Sequence, residues 1–236
     1  MSVIAKKLED VNKRIARAAA KAGKAPQDIT LVAVSKTIEI ERMREAYNLG
    51  VRNFGENKVQ ELVKKVAEFS PQNDMPQIGN FDEKPTWHMI GRLQTNKAKV
   101  AAESAYLIHS VDSMRLAEEL NRRANRTVNI LLQVNVAEEA TKAGVAVESV
   151  EKIIHDMQKL PNLCIKGLMT IAPPVENPEE NRQFFVKMNK IYVDIRKVLY
   201  DNSFTFLSMG MSSDFEVAIE EGANIVRIGT SIFGER

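Results

Sequence analysis

Residues 29–37 read ITLVAVSKT, an aliphatic and β-branched run with no polar alternation. That is the pattern of a strand covered on both faces, as in a parallel sheet. It passes through Ser35-Lys36-Thr37, and IERMREAYNLG follows as a helical pattern that ends at Gly50. An open doubly wound sheet usually carries a glycine-rich turn after its first strand, and this turn has no glycine. Seven further strand runs follow: VRNFGEN (51–57), WHMIG (87–91), YLIHSVD (106–112), NILLQVNV (129–136), LCIKGLMTI (163–171), FTFLSMGMS (204–212) and NIVRIGTSIFG (224–234). Helical patterns separate most of them. Eight strand–helix units in 236 residues predict an α/β fold, a single (β/α)8 TIM barrel occupying residues 1–236 as one domain.

The barrel is expected to carry an extra N-terminal helix, with Ile4, Leu8, Val11 and Ile15 on one face and Gly23 as its terminator. A long helix over 178–200 lines up Phe184, Met188, Ile191, Ile195 and Val198, and Asn177-Pro178-Glu179-Glu180 caps its start. Ser213 with Glu216 reads as a capping box for a helix that closes at Gly222. The stretch 70–86, SPQNDMPQIGNFDEKPT, reads as a long polar loop before the third strand.

A net charge of +2 lacks the electrostatic signature of a nucleic-acid binder. The shares of 44% hydrophobic and 27% charged residues are those of an ordinary soluble globular protein. The one cysteine, Cys164, excludes an internal disulfide and a cysteine-based zinc site, and reads as a core thiol. The first residues lack the continuous apolar core of a signal peptide, and no run of ~18 apolar residues predicts a membrane span. A reducing cytoplasm is the expected location.

In a barrel of this kind, function collects where the strands end. Those positions hold Ser35, Lys36, Thr37, Glu56, Asn57, His88, Met169, Thr170, Ser208, Gly210, Met211, Ser212, Arg227, Gly229 and Thr230. Partial desolvation at a barrel mouth would favour a neutral, nucleophilic Lys36; the plainer reading is a strand-end lysine with its head in water. The loops SMGMSSD and RIGTS offer glycine backbone and hydroxyls where barrels often bind phosphate, or they are ordinary turns. Alternation puts Arg227 on the same face as Ile225, inside the barrel. There it needs either a carboxylate or a ligand acceptor. His88 reads as a ligand contact or as a satisfied interior histidine. Arg92, Lys97 and Lys99 form a basic patch of the usual solvated kind. Lys142, His109 and His155 carry no assigned role.

AVSKT, NFGEN, WHMIGRLQTNK, GLMTI, LSMGMSSDFEVAIEEGANIVRIGT and IFG together resemble the pyridoxal phosphate homeostasis proteins, also called proline synthetase co-transcribed proteins, across nearly the whole chain. The resemblance implies a barrel like the N-terminal domain of alanine racemase, and pyridoxal 5'-phosphate (PLP) as cofactor, held as a Schiff base on Lys36. It implies that Asn57, His88 and Met169 line the ring. It further implies that Ser208, Met211, Gly229 and Thr230 meet the phosphate, and that Arg227 faces the pyridine nitrogen.

The function it implies is vitamin B6 and amino-acid homeostasis by a cofactor carrier without a known reaction. PLP-dependent apo-enzymes are its candidate recipients, and the protein would be a monomer or weak homodimer. A racemase-like enzyme is the alternative. Racemisation needs acid–base groups on both faces of the bound substrate, and alanine racemases bring a tyrosine from a second domain. The chain is expected to lack that domain, and Tyr47, Tyr106, Tyr192 and Tyr200 are all expected away from the strand ends.

Overall fold

The computed structural model describes residues 2–69, 84–139, 142–199 and 202–235. Eight parallel strands close a barrel in chain order. They are β1 (Thr30–Val34), β2 (Asn53–Glu56), β3 (Thr86–Met89), β4 (Leu107–Val111), β5 (Val128–Gln133), β6 (Leu163–Met169), β7 (Phe206–Met211) and β8 (Ile225–Ile228). Each lies within a run expected from the sequence or overlaps it. The seam closes through β1 and β8, with Val32 paired to Arg227.

The helices are α1 (Val3–Lys21), α2 (Ile40–Asn48), α3 (Val59–Glu68), α4 (Ala98–Ser104), α5 (Met114–Arg123), α6 (Val150–Met157), α7 (Arg182–Leu199), α8 (Phe215–Glu220) and the single turn α9 (Thr230–Phe233). Helix α1 is the extra N-terminal helix. It buries Ile4, Leu8, Val11, Ile15, Ala18 and Ala19, and Gly23 follows its end at φ 67°. It packs against α2, α8 and α9, where the first and last units of the barrel meet. Arg14 fastens it there, with Nη2 2.7 Å from Glu216 Oε2 and its guanidinium 4.6 Å from the centre of the Phe215 ring.

Apolar side chains form two clusters. The larger one lies between barrel and helices. The smaller one, Val32, Leu107, Leu131, Met169 and Ile225, fills the barrel interior. Arg227 belongs to the interior face with Ile225, while Val226 and Ile228 join the outer cluster, as strand alternation requires.

Two local expectations are corrected. Ser213 does not cap α8, because the helix starts one residue later than its capping box demands, and Asp214 is the capping residue. The Asp214 carboxylate is committed elsewhere, accepting from the Met211 amide (2.7 Å) and from Asn181 Nδ2 (2.8 Å). The buried stripe of α7 is Phe185, Met188, Tyr192 and Ile195, with Phe184 and Ile191 only partly buried and Val198 54% exposed. A 3₁₀ turn over Pro178–Asn181 precedes α7, and the helix is rotated so that Phe185 and Tyr192, rather than Phe184 and Ile191, face the core with Met188 and Ile195. The start is capped as expected: Asn177 Oδ1 accepts from the Glu179 amide (3.1 Å). Asn177→Ala should cost about 1 kcal/mol, a drop of about 2–4 °C in Tm by calorimetry. An unchanged melting curve would show that this cap contributes nothing. Residues 70–83 of the expected polar loop, and Tyr200, lie outside the described residues.

Candidate functional site

At the C-terminal ends of the strands two adjoining cavities open, of about 320 and 400 Å³. Both are lined by Val34, Lys36, Met211 and Arg227. The first continues past Asn57, Ile90, Gly91, Arg92, Gln133, Lys142 and Ile171. The second continues along Ser212, Ser213, Gly229, Thr230 and Ser231, in the loops after β7 and β8. Six of the nine residues expected at the site, Lys36, Asn57, Met211, Arg227, Gly229 and Thr230, therefore line this mouth. Gly91 lets the backbone pass close to Asn57, since a Cβ there would stand 2.3 Å from the Asn57 carbonyl oxygen.

His88, Met169 and Ser208 sit one layer lower, each no more than 2% exposed. They form the floor beneath the cavities. Met169 packs in the interior apolar cluster. Ser208 and His88 belong to a hydrogen-bonded chain that crosses the barrel. Arg227 has only donors, so its Nη1 donates to Ser208 Oγ (2.6 Å), and its Nη2 donates to the Thr170 carbonyl (2.8 Å). At the far end His88 Nε2 lies 3.1 Å from Asn53 Oδ1, an acceptor, and so carries the proton. In a neutral ring His88 Nδ1 then accepts from His109 Nε2 (2.9 Å), and His109 Nδ1 accepts from the Ser208 hydroxyl (3.0 Å). Every donor in the chain points away from Arg227.

Burial dictates neutral rings. It pulls His88 down to about 3, and it holds His109 well below the usual imidazole range, reinforced by His88 and Arg227. Burial also lowers the Arg227 guanidinium, to about 10, against the pull of Asp214. At neutral pH Arg227 stays charged. Within the protein its partners are a hydroxyl and a carbonyl, not the carboxylate of the plainer reading.

Three features escape the residue pattern. His109 joins His88 because β3 and β4 pair His88 with Leu107, which puts His109 two residues on, on the same face. Alternation could have found it. Arg92 and Lys142, which read as surface cations, line the mouth. Glu56 does not face the mouth; it lies against Lys65 of α3 (3.0 Å), a lysine that helical periodicity alone reads as solvated.

Chemically, the mouth combines an amine (Lys36), apolar walls (Val34, Ile90, Ile171, Met211), cations (Arg92, Lys142, Arg227) and a rim of hydroxyls (Ser212, Thr230, Ser231). That set suits a flat, anionic molecule with an electrophilic carbon. No group of His, Cys, Asp and Glu side chains that could hold a metal ion exists among the described residues.

The pattern of the "alanine racemase, N-terminal domain" family matches residues 7–236. The pyridoxal phosphate homeostasis protein of Aquifex aeolicus is 43% identical over 233 residues, 98% of this chain and 97% of its own. PipY of Synechococcus elongatus, solved without PLP and with PLP bound, superposes with TM-scores of 0.82 and 0.81 at 36% identity, covering 98% of this chain and all of PipY. Alanine racemase from Corynebacterium glutamicum, at 12% identity and a TM-score of 0.68, covers 97% of this chain and 61% of its own, and shows a shared fold alone.

Proposed function

The chain belongs to the pyridoxal phosphate homeostasis proteins, within the alanine racemase N-terminal-domain family, and from that premise we propose that it binds PLP at the barrel mouth, covalently through Lys36. The observation that carries this reading is the position of Lys36, which lines both cavities together with Arg227, the second of them rimmed by hydroxyls. PLP supplies an aldehyde that an amine captures and a ring that withdraws electrons.

The residues of the mouth fit such a group. The loops after β7 and β8, with Ser212, Gly229, Thr230 and Ser231, would hold the phosphate, in the place where barrels of this kind often bind one. Arg92 and Lys142 add positive charge around the cavity beside it. Met211, Asn57 and Ile90 would flank the ring. Arg227, locked by Ser208 and Thr170 and charged at neutral pH, offers only donors. It would leave a pyridine nitrogen unprotonated and weaken electron withdrawal. His88, Met169 and Ser208 support that floor rather than touch the ring.

A weakened electron sink suits holding a cofactor more than turning over a substrate, so we read the protein as a cytoplasmic carrier that supplies PLP-dependent apo-enzymes. None of the described tyrosines lines the mouth, which supports a carrier over a racemase. Among the described residues no helix is long and apolar enough to cross a membrane.

The test is reconstitution with PLP, an absorption spectrum, borohydride reduction and peptide mass analysis, with Lys36→Ala in parallel. The expected result is a visible band, a pyridoxyl mass on the peptide containing Lys36, and loss of both in the variant. A wild-type protein that stays colourless and unlabelled would overturn the reading. A change in the optical rotation of L-alanine incubated with the loaded protein would move it from carrier to racemase.

A further inference from the structure

Behind Lys36, outside the barrel wall, a charged cluster is built into the space between β1, β2 and α3. Lys65 is 6% exposed and Glu56 fully buried. Lys65 Nζ donates three hydrogen bonds: to the Ser35 carbonyl (2.6 Å), to Glu56 Oε1 (3.0 Å) and to Glu61 Oε1 (2.7 Å). The Ser35 hydroxyl donates to Glu56 Oε1 (2.6 Å), and the Thr37 amide donates to Glu61 Oε1 (2.6 Å). Glu56 Oε2 is buried without a partner. Burying ions in this way is costly, and apolar residues of similar volume would often stabilise a protein as well or better. Stability alone is therefore a poor reason for the cluster.

Its geometry offers another. The Ser35 carbonyl and the Thr37 amide belong to the two peptide groups that flank the Lys36 Cα. Both are held by side chains of α3. Thr37 stands at φ 62°, a left-handed conformation that costs a non-glycine residue energy and persists only where its surroundings enforce it. Glu61 supplies that enforcement at the Thr37 amide, and Lys65 holds Glu61 in turn.

We propose that Glu61 and Lys65, with Glu56, are positioning residues that clamp the backbone on both sides of Lys36 and aim its amine at the aldehyde carbon of the ligand. This inference rests on Lys36 as the covalent anchor. The step served forms a C=N bond between Lys36 Nζ and the aldehyde carbon, and the aldehyde oxygen leaves as water with two protons from the neutral amine. No oxidant or reductant enters. The clamp acts on where the amine is held, and misplacement of a reacting group by about 1 Å is enough to lose about a hundredfold in rate.

The decisive comparison uses two ligands, PLP and pyridoxine 5'-phosphate, which has an alcohol where PLP has the aldehyde and cannot form the C=N bond. Glu61→Ala removes the acceptor of the Thr37 amide and leaves the Lys65–Glu56 pair in place. Its half-saturation for borohydride-trapped PLP should rise at least about tenfold, with slower capture, while its affinity for pyridoxine 5'-phosphate stays within about twofold of the parent. Glu61→Gln keeps an oxygen for the Thr37 amide and should restore most of the capture rate. A merely structural role would weaken both ligands together and track the melting temperature. Glu61→Ala protein that captures PLP like the parent, or that loses both ligands equally, would refute the clamp. Absence of trapping in the wild type itself would instead refute Lys36 as the anchor, so the two failures are distinguishable.

Discussion

Gly167→Ala should lower the stability of this protein by about 3–5 kcal/mol and its Tm by about 10 °C or more. Gly167 pairs with Phe206 across β6 and β7, directly after an irregularity where Ile165 and Gly167 face consecutive residues of β5 and Lys166 is skipped. An added Cβ would stand 1.8 Å from the Phe206 carbonyl oxygen, far inside contact distance, and the backbone is at φ 151°. A clashing side chain can rotate away, but a strand carbonyl cannot without breaking its ladder. Relief must come from parting β6 and β7, and a closed barrel transmits that displacement to its other strands. Circular dichroism melts of parent and variant give the answer. A variant that melts within about 3 °C of the parent would mean that the two strands are not packed this closely.

Lowering the pH from 7 to 5 should cost the wild type about 2 kcal/mol through His88, with His109 adding a loss in the same direction. Both rings are buried and held neutral, with folded pKa values below that of an unfolded histidine, about 3 in the case of His88. Above about pH 6.5 neither state binds a proton at these rings, and they contribute no pH dependence. Below it the unfolded chain protonates and the folded one does not, so stability falls with pH at about 1.4 kcal/mol per unit for each histidine. The fall continues down to the folded pKa values. Most carboxylates titrate below the window from pH 7 to 5; burial raises Glu56, whose protonation acts in the opposite direction, so a variant without the two rings is needed to identify the histidine share. Urea unfolding across it measures the slope. A His88→Gln/His109→Gln protein, whatever its absolute stability, should show most of that slope removed. An equally steep double variant would assign the acid sensitivity to other groups.

Much of the fold is legible in the residue pattern. Each strand run is local, and the eight runs with their intervening helices leave few alternatives to a closed parallel barrel. The mouth is legible too, because parallel topology sends the end of every strand to one side, and six of the nine expected residues line it. The departures have specific causes. His88, Met169 and Ser208 are expected at the mouth and lie one layer down, since a strand's length says nothing of how far it rises in the barrel. The α7 stripe differs from the expected one because apolar residues flank Met188 and Ile195 on both sides, and only the rotation of the helix against the barrel chooses between them.

Sequence by itself thus determined the order of elements, the barrel and the ring of residues at its open end, all of which follow from short-range apolar periodicity and the direction of the strands. Tertiary structure alone decided the chain from Arg227 through Ser208 and His109 to His88, and the clamp of Glu56, Glu61 and Lys65 around Lys36. Bonded partners in these networks come from different strands and helices, up to 99 positions apart. Whether two such side chains meet depends on the register between strands and the rotation of a helix against the barrel. Those are set by packing over the whole molecule, and no local run of residues encodes them.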